Sequence, residues 1–324
     1  MEQTSPLPSD SRGLCTLTDG HAGNLRQAQS LARALGGEAR DLILAPRAPW
    51  RWLAPRLLPG ATQGLGPAFD QLQRRPPTLA IGCGRQAALA TRLLRARGSR
   101  VVQILDPRID PSHWDLVIAP EHDGLTGPNI LTLLGSLNPV DDAWLADART
   151  AFPAFAALPS PRTAVLLGGD SAHYRFDTDA FARLTILLDD LTADGSLLVT
   201  TSRRTQPTVI DAVRRRWAQR PHTLLWCDPS DGPNPYAGLL GWAERIVCTP
   251  ESVNMVSEAC GTRAPVLVFE PGRVSGRPRR FLDALRDRGR IHDLAGAPTL
   301  FDGEPLRETA RVAAEVRKRL AMPA

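Results

Sequence analysis

The stretch RIVCTPESVNMVSEACGTRAPVLVF, residues 245–269, decides the fold class. An apolar run, Arg245–Thr249, stops at Pro250, and Ser252 stands where a helix N-cap is needed. Val253–Cys260 has helical spacing, Gly261 supplies the C-cap, and Val266–Phe269 is a second short apolar run. Strand, helix and strand in so short a span form a parallel crossover unit. Glu251 and Glu258 are two helical turns apart, so both can face one side, where a carboxylate can accept bonds from vicinal hydroxyls or simply face solvent.

Outward from this unit the same alternation continues. Apolar runs at Ala164–Leu167, Leu197–Thr200 and Thr223–Cys227 are separated by helical stretches at Ala180–Leu191 and Val209–Trp217, and Phe281–Arg288 follows as a further helix. The first half repeats the pattern with runs at Leu14–Thr18, Leu42–Ala45, Leu79–Gly82, Val101–Leu105 and Leu116–Ala119, and helices at Leu25–Leu35 and Gln86–Arg97. Continuous apolar strands alternating with helices form parallel sheets covered on both faces. TAFPAFAALPSPR, residues 150–162, is rich in Ala and Pro and interrupts the series. The expectation is an α/β chain of two doubly wound Rossmann-like domains, 1–150 and 151–324, with a terminal helix around Leu306–Leu320. Ligands of such sheets bind beyond the carboxyl ends of the strands, and two such edges can face each other across a cleft.

The 324 residues suit two domains, and 43% hydrophobic with 23% charged residues is ordinary globular composition. No apolar run reaches the roughly 18–20 residues of a membrane span, and MEQTSPLPSDSR at the start lacks the apolar core of a secretory signal. The expectation is a cytoplasmic protein. The net charge of +5 is spread over both halves without a basic tail, is almost all Arg, and has no clustered aromatics beside it, so nucleic acid is not an expected partner. Cys15, Cys83, Cys227, Cys248 and Cys260 form no CxxC pair and have no histidine at zinc spacing; neither disulfide nor metal is expected.

Chemistry concentrates in the loops after strands. In TDGHAGNLRQA (18–28), Gly20 and Gly23 permit a tight turn, while Asp19 and His21 are residue types that take a proton from a hydroxyl; a capping aspartate at a helix entry is the other reading. In AIGCGRQAALA (80–90), Arg85 at a helix start can hold a phosphate or carboxylate, or be a surface arginine. ILDPR (104–108) and IAPEHDG (118–124) add polar strand ends. LLGGDSAHYRF (166–176) and VTTSRRT (199–205) bring Gly168, Gly169, Ser171, Thr201, Ser202 and Arg203, the glycine, hydroxyl and guanidinium set that a diphosphate needs, or else two ordinary turns with solvated charge.

Across roughly residues 13–290, the chain resembles the mitochondrial fission ELM family and its bacterial relatives. The resemblance rests on TDGHAG with Gln27, ILDPR, APEHDG, GGDSAHYRF, LLVTTSRRT, NPY (234–236), TPESVNMVSEA and RRFLDALRDRG (279–289). Related sequences usually carry lysine where His21 stands and asparagine where Arg26 stands, so these two positions are not expected to be indispensable, while Asp19, Gly20, Gly23 and Gln27 match. The plant members resemble adaptors that recruit a dynamin-related protein, a role not carried over to an Arg-rich chain of bacterial character.

SEACGTRAPVLVF (257–269), with the Gly-Gly and Ser-Arg loops upstream, is also similar to the nucleotide-sugar half of GT-B glycosyltransferases. That resemblance implies Glu258 on the ribose; Gly168, Gly169, Ser202 and Arg203 near the diphosphate; and Ser252 and Met255 along the sugar or phosphate. The first-domain loop, with Asp19 as base beside Gly20, His21, Gly23, Gln27 and Arg85, would face an acceptor. It implies a nucleotide sugar as substrate, with no cofactor and no metal. The expected function is glycosyl transfer to an acceptor of unknown, lipid-linked or cell-envelope type; the alternatives are a nucleotide-sugar epimerase or hydrolase and a non-catalytic adaptor. APWRWLAPRLLPG (48–60) interleaves Trp and Leu with Arg51 and Arg56, next to Arg47, and is an expected peripheral membrane contact at the inner face, or else a short core helix.

Overall fold

The alternation of apolar runs and amphipathic stretches becomes two six-stranded sheets in a computed structural model that describes residues 13–296 and 303–322. The first unit contains β1 (Leu14–Thr18), α1 (Ala22–Ala34), β2 (Ala39–Ile43), α2 (Trp50–Leu53), α3 (Pro67–Arg74), β3 (Leu79–Cys83), α4 (Arg85–Arg95), β4 (Arg100–Ile104), β5 (Leu116–Pro120) and β6 (Ile130–Leu133). The second contains α5 (Asp142–Ala151), β7 (Arg162–Leu167), α6 (Thr178–Leu191), β8 (Ser196–Thr201), α7 (Pro207–Trp217), β9 (Thr223–Trp226), α8 (Tyr236–Trp242), β10 (Arg245–Cys248), α9 (Val253–Cys260), β11 (Val266–Val268), α10 (Gly276–Asp287) and β12 (Ile291–Asp293). The chain then returns to the first unit with α11 (Thr309–Arg319).

All strand pairings within both sheets are parallel. The first sheet runs β2-β1-β3-β4-β5-β6 and the second β12-β11-β10-β7-β8-β9. Read from β9, the second has the strand order of a Rossmann sheet; the first has the flavodoxin-like order extended by one strand. Each order reverses at one place, between β1 and β3 and between β7 and β10. In open α/β sheets, this is where the ligand crevice lies, outside the carboxyl ends of the strands.

The central strands are mostly apolar because helices cover both faces. Leu17, Ile81, Val102 and Ile118 are fully buried in the first sheet, and Val165, Leu198, Ile246 and Val268 in the second. Each such side chain contributes about 1.5–3 kcal/mol by leaving water. β2 is an edge strand and needs no continuous apolar run, so it lies at Ala39–Ile43, earlier than the run Leu42–Ala45.

The boundary between units differs from the one read at residue 150. The first unit ends at Leu133 and resumes at Glu308; the second is Leu134–Arg307. The reason is packing. Arg149 Nη1 on α5 donates to Gly241 O on α8 at 3.0 Å, and Phe155 from the Ala/Pro-rich stretch enters the core of the second unit. At the other end, Arg317 on α11 donates to Ala34 O at the end of α1, and Arg319 to Ile130 O at 3.1 Å, which fastens the terminal helix to the first sheet. Among the described residues no helix is long and apolar enough to cross a membrane.

Candidate functional site

The second unit's crevice is built by the loops after β7, β8 and β10. Gly168 N donates to Thr249 Oγ1 at 2.8 Å and Gly169 N to Glu251 Oε1 at 2.9 Å. Both glycines are dictated by what lies against them. A Cβ on Gly168 would sit 1.5 Å from Glu251 Oε1, and one on Gly169 would sit 2.1 Å from the carbonyl oxygen of Arg204. The two N–H groups are therefore spent inside the loop cluster, and the Gly-Gly turn shapes the crevice without offering these donors to a diphosphate. This corrects the direct cradle expected of Gly168 and Gly169.

The β8 loop folds over this turn. Thr205 Oγ1 bonds Gly168 O, accepts from Ser202 N at 3.0 Å and lies 3.2 Å from Ser202 Oγ. Thr201 is buried and donates to Cys227 O at 2.6 Å, so it braces β9's end and is turned away from any ligand. Ser171 Oγ accepts from the N–H groups of His173 and Tyr174, both at 3.1 Å, and pins a tight hairpin. Arg203 and Arg204 are the exposed cations of the loop. Arg204 reaches Glu251 Oε1 at 3.8 Å, whereas Arg203 makes no hydrogen bond or ion pair among the described residues.

Glu251 precedes α9 and is wholly enclosed, and its Oε2 has no hydrogen-bond partner among the described residues. Burial pushes its carboxyl above the usual range, and the bonds from Thr249 and Gly169 with the Arg204 charge offset only part of that. The folded protein thus holds this proton more tightly than the unfolded chain does, and ionisation with rising pH costs stability. Ser252 caps α9, accepting from Met255 N at 3.5 Å, and Met255 packs against the core. Glu258 is 2% exposed and accepts a bond from Tyr236 Oη. The turn between β7 and α6 is held from behind by Tyr174, whose hydroxyl lies 3.4 Å from Glu270. Arg183 grips that same carboxylate at 2.8 and 3.1 Å and keeps it below the usual range.

The first unit's crevice is simpler. Gly20 adopts φ 78°, which a side chain would strain, and a Cβ there would crowd Ile43 Cγ2 at 3.1 Å. Gly23 lies inside the first turn of α1 and not in the loop, so only Gly20 makes the tight turn. Asp19 Oδ1 accepts from His21 N at 3.1 Å and Asn24 Nδ2 at 2.9 Å, and His21 Nδ1 is 3.0 Å away. Partial burial raises the Asp19 carboxyl, but the Asn24 and His21 bonds outweigh it and hold it below the usual range. The His21 side chain is 79% exposed. Gln27 is buried on α1. Arg85 donates to Trp52 O at 2.9 Å and Arg51 O at 3.2 Å, so it is a strut for the 48–60 loop and not a free anion-binding group.

Both crevices therefore lie at the strand-order reversals of parallel sheets, with polar loops of the kind the motifs describe. Residues 22–320 match the family described as Mitochondrial fission ELM1. This chain belongs to that family. It is 31% identical over 285 residues to the Mitochondrial fission protein ELM1 of Arabidopsis thaliana, a match that takes in 78% of this chain and 66% of the plant protein, just under two thirds of its length. Among solved structures, the UDP-GlcNAc 2-epimerase from Neisseria meningitidis bound to UDP-GlcNAc superposes with a TM-score of 0.54 at 12% identity, covering 94% of this chain and 99% of that one. A glycosyltransferase from Rickettsia africae gives 0.50 at 10% identity, covering 97% and 89%. At these identities the likeness is one of fold: this ELM1-family chain has two Rossmann-like domains of the GT-B kind.

In this family member the sequence reading missed Asn24 and undervalued Glu251. Asn24 stands one helical turn beyond the Asp19 loop, a spacing that returns its amide to the carboxylate. Glu251 was visible beside Pro250, but its enclosure depends on two glycines far away in sequence. Arg204, adjacent to the expected Arg203, is the arginine that meets Glu251.

Proposed function

We propose that this chain is a GT-B-type glycosyltransferase that needs no metal and moves a sugar from a nucleotide-sugar donor to a hydroxyl acceptor. The observation that carries the proposal is the loop cluster after β7, β8 and β10, where the capped N-terminus of α9 follows Glu251, Arg204 reaches that carboxyl at 3.8 Å and Arg203 stands exposed in the same loop. A helix N-terminus and guanidinium groups suit a diphosphate. In this reading Glu258, bonded to Tyr236, meets the ribose, and Ser202, Ser252 and Met255 line the donor. The first unit takes the acceptor.

The step balances without an outside reactant. The acceptor O–H gives its proton to Asp19, its oxygen bonds to the sugar's anomeric carbon, and the bond from that carbon to the diphosphate breaks, leaving the electron pair on the nucleoside diphosphate. Asp19, held low, is by itself a weak base. Asp19 is nonetheless the candidate base, because it is the carboxylate that the turn after β1 fixes in place through His21 N and Asn24 Nδ2. Arg203, Arg204 and the helix N-terminus stabilise the charge growing on the leaving group. The proposal places this reaction in the cytoplasm.

UDP-GlcNAc, the ligand of the Neisseria epimerase, is the first donor to test. The full chain, incubated with labelled nucleotide sugars and a bacterial lipid extract, is expected to transfer label to the extract and release nucleoside diphosphate in equal amount, with chelator making no difference. Isomerised or hydrolysed donor without acceptor would replace transfer with the epimerase or hydrolase reading, and no turnover of any donor would favour the adaptor.

A further inference from the structure

Among the described residues, four of the five large apolar side chains most exposed to solvent lie in the first unit: Ile43 (60%), Trp52 (66%), Leu57 (52%) and Leu58 (39%). Three of them fall within seven residues, and Arg47, Arg51 and Arg56 beside them are exposed as well. From Leu42 to Phe69 the chain carries these three arginines and no acidic residue. A soluble surface seldom combines so exposed a Trp with neighbouring leucines.

The loop presents these side chains on a fixed support. Arg85 holds the carbonyls of Arg51 and Trp52, and Arg92 donates to Pro55 O at 2.7 Å. Trp50 turns inward over Gly64, where a Cβ would meet its ring at 2.4 Å, while Trp52 turns outward. Both clamping arginines stand on α4, which begins immediately after Gly84, and a Cβ on Gly84 would touch Asn24 and approach Asp19. The apolar and basic surface is thus tied to the helix that borders the Asp19 loop.

We propose that this surface docks on an anionic lipid bilayer, with Trp52, Leu57 and Leu58 entering the headgroup region and Arg47, Arg51 and Arg56 contacting anionic headgroups. A tryptophan finds its preferred depth at the lipid–water interface, and an acid-free stretch with three arginines is complementary to negative lipid. A protein partner is disfavoured because nothing in the strip restrains orientation: it has apolar tips and cations but no exposed acid to pair. Docked in this way, the Asp19 loop lies near lipid headgroups, which makes a lipid-linked hydroxyl the acceptor class. That corollary rests on the proposed transfer reaction; the docking itself does not.

The test is flotation of the full chain with vesicles of phosphatidylcholine alone or mixed with phosphatidylglycerol, at low and high salt. Binding is expected only with phosphatidylglycerol and is expected to weaken with salt, since each arginine near such a surface multiplies partitioning by roughly fivefold. Trp52→Ala with Leu57→Ala and Leu58→Ala, and separately Arg51→Glu with Arg56→Glu, are each expected to reduce binding by at least about tenfold while the melting temperature stays unchanged. A wild-type chain that stays out of the floating fraction, or binding indifferent to both variants, overturns the proposal. Nucleotide binding is measured separately and stands or falls independently of either result.

Discussion

Gly169→Ala is expected to destabilise the second unit by about 3 kcal/mol, the upper end of what overpacking costs, or to prevent folding altogether. The new methyl would lie 2.1 Å from Arg204 O, 2.2 Å from Arg204 C and 2.6 Å from Thr205 N. All three are backbone atoms, so no side chain can swing aside, and Thr205 ties that backbone to Gly168 O. Relief requires breaking the Gly169 N–H bond to Glu251, which leaves a buried carboxyl with still fewer partners. Gly272→Ala is the control, because nothing but the tip of Arg279 comes within 4.0 Å of that position. Urea titration of the three proteins measures the difference. A Gly169→Ala midpoint equal to that of Gly272→Ala would contradict the packing described for this crevice.

Asp19→Asn is expected to lower the rate of sugar transfer by about 10²–10⁴-fold and to leave nucleotide affinity unchanged. The amide keeps the size of the carboxylate and one oxygen for the N–H groups of His21 and Asn24, so α1 still starts in the same place. What disappears is the carboxylate that takes the acceptor's proton. His21→Ala is expected to cost far less, since related sequences usually carry lysine at that position. Single-turnover transfer with saturating donor separates this loss from a binding defect. An Asp19→Asn protein as fast as the wild type would remove Asp19 from the chemistry.

Much of the fold was legible because burial on both faces forces parallel strands to be continuously apolar, and that pattern survives without any tertiary information. Val253–Cys260, capped by Ser252, occurs as read. What escaped were elements whose stability comes from neighbours: β6 and β12, each short and lying at a sheet edge, and α5 and α8, which hold each other across a long stretch of sequence. The domain boundary was misplaced for the same reason, since an Ala/Pro-rich stretch reads as a linker until Phe155 is seen in a core.

The site was legible as a set of loops but not as a set of contacts. TDGHAG and GGDSAHYRF do lie at the two strand-order reversals. Their spacing gives no hint that the Gly168 and Gly169 N–H groups point inward, or that Arg85 serves the 48–60 loop. A motif fixes which backbone can approach closely; the partner that does so comes from elsewhere in the chain.

The measurement that bears most directly on the central claim is nucleoside diphosphate binding by the full chain, followed as a rise in thermal stability with UDP, GDP, ADP and dTDP in the presence of chelator. One of these is expected to stabilise the protein by about 2.7 kcal/mol at a hundredfold excess over its dissociation constant. The same nucleotide is expected to lose most of that effect against a protein carrying Arg203→Ala and Arg204→Ala. No stabilisation by any of them, or stabilisation that survives loss of both arginines, would contradict a donor site at the β7/β10 crevice.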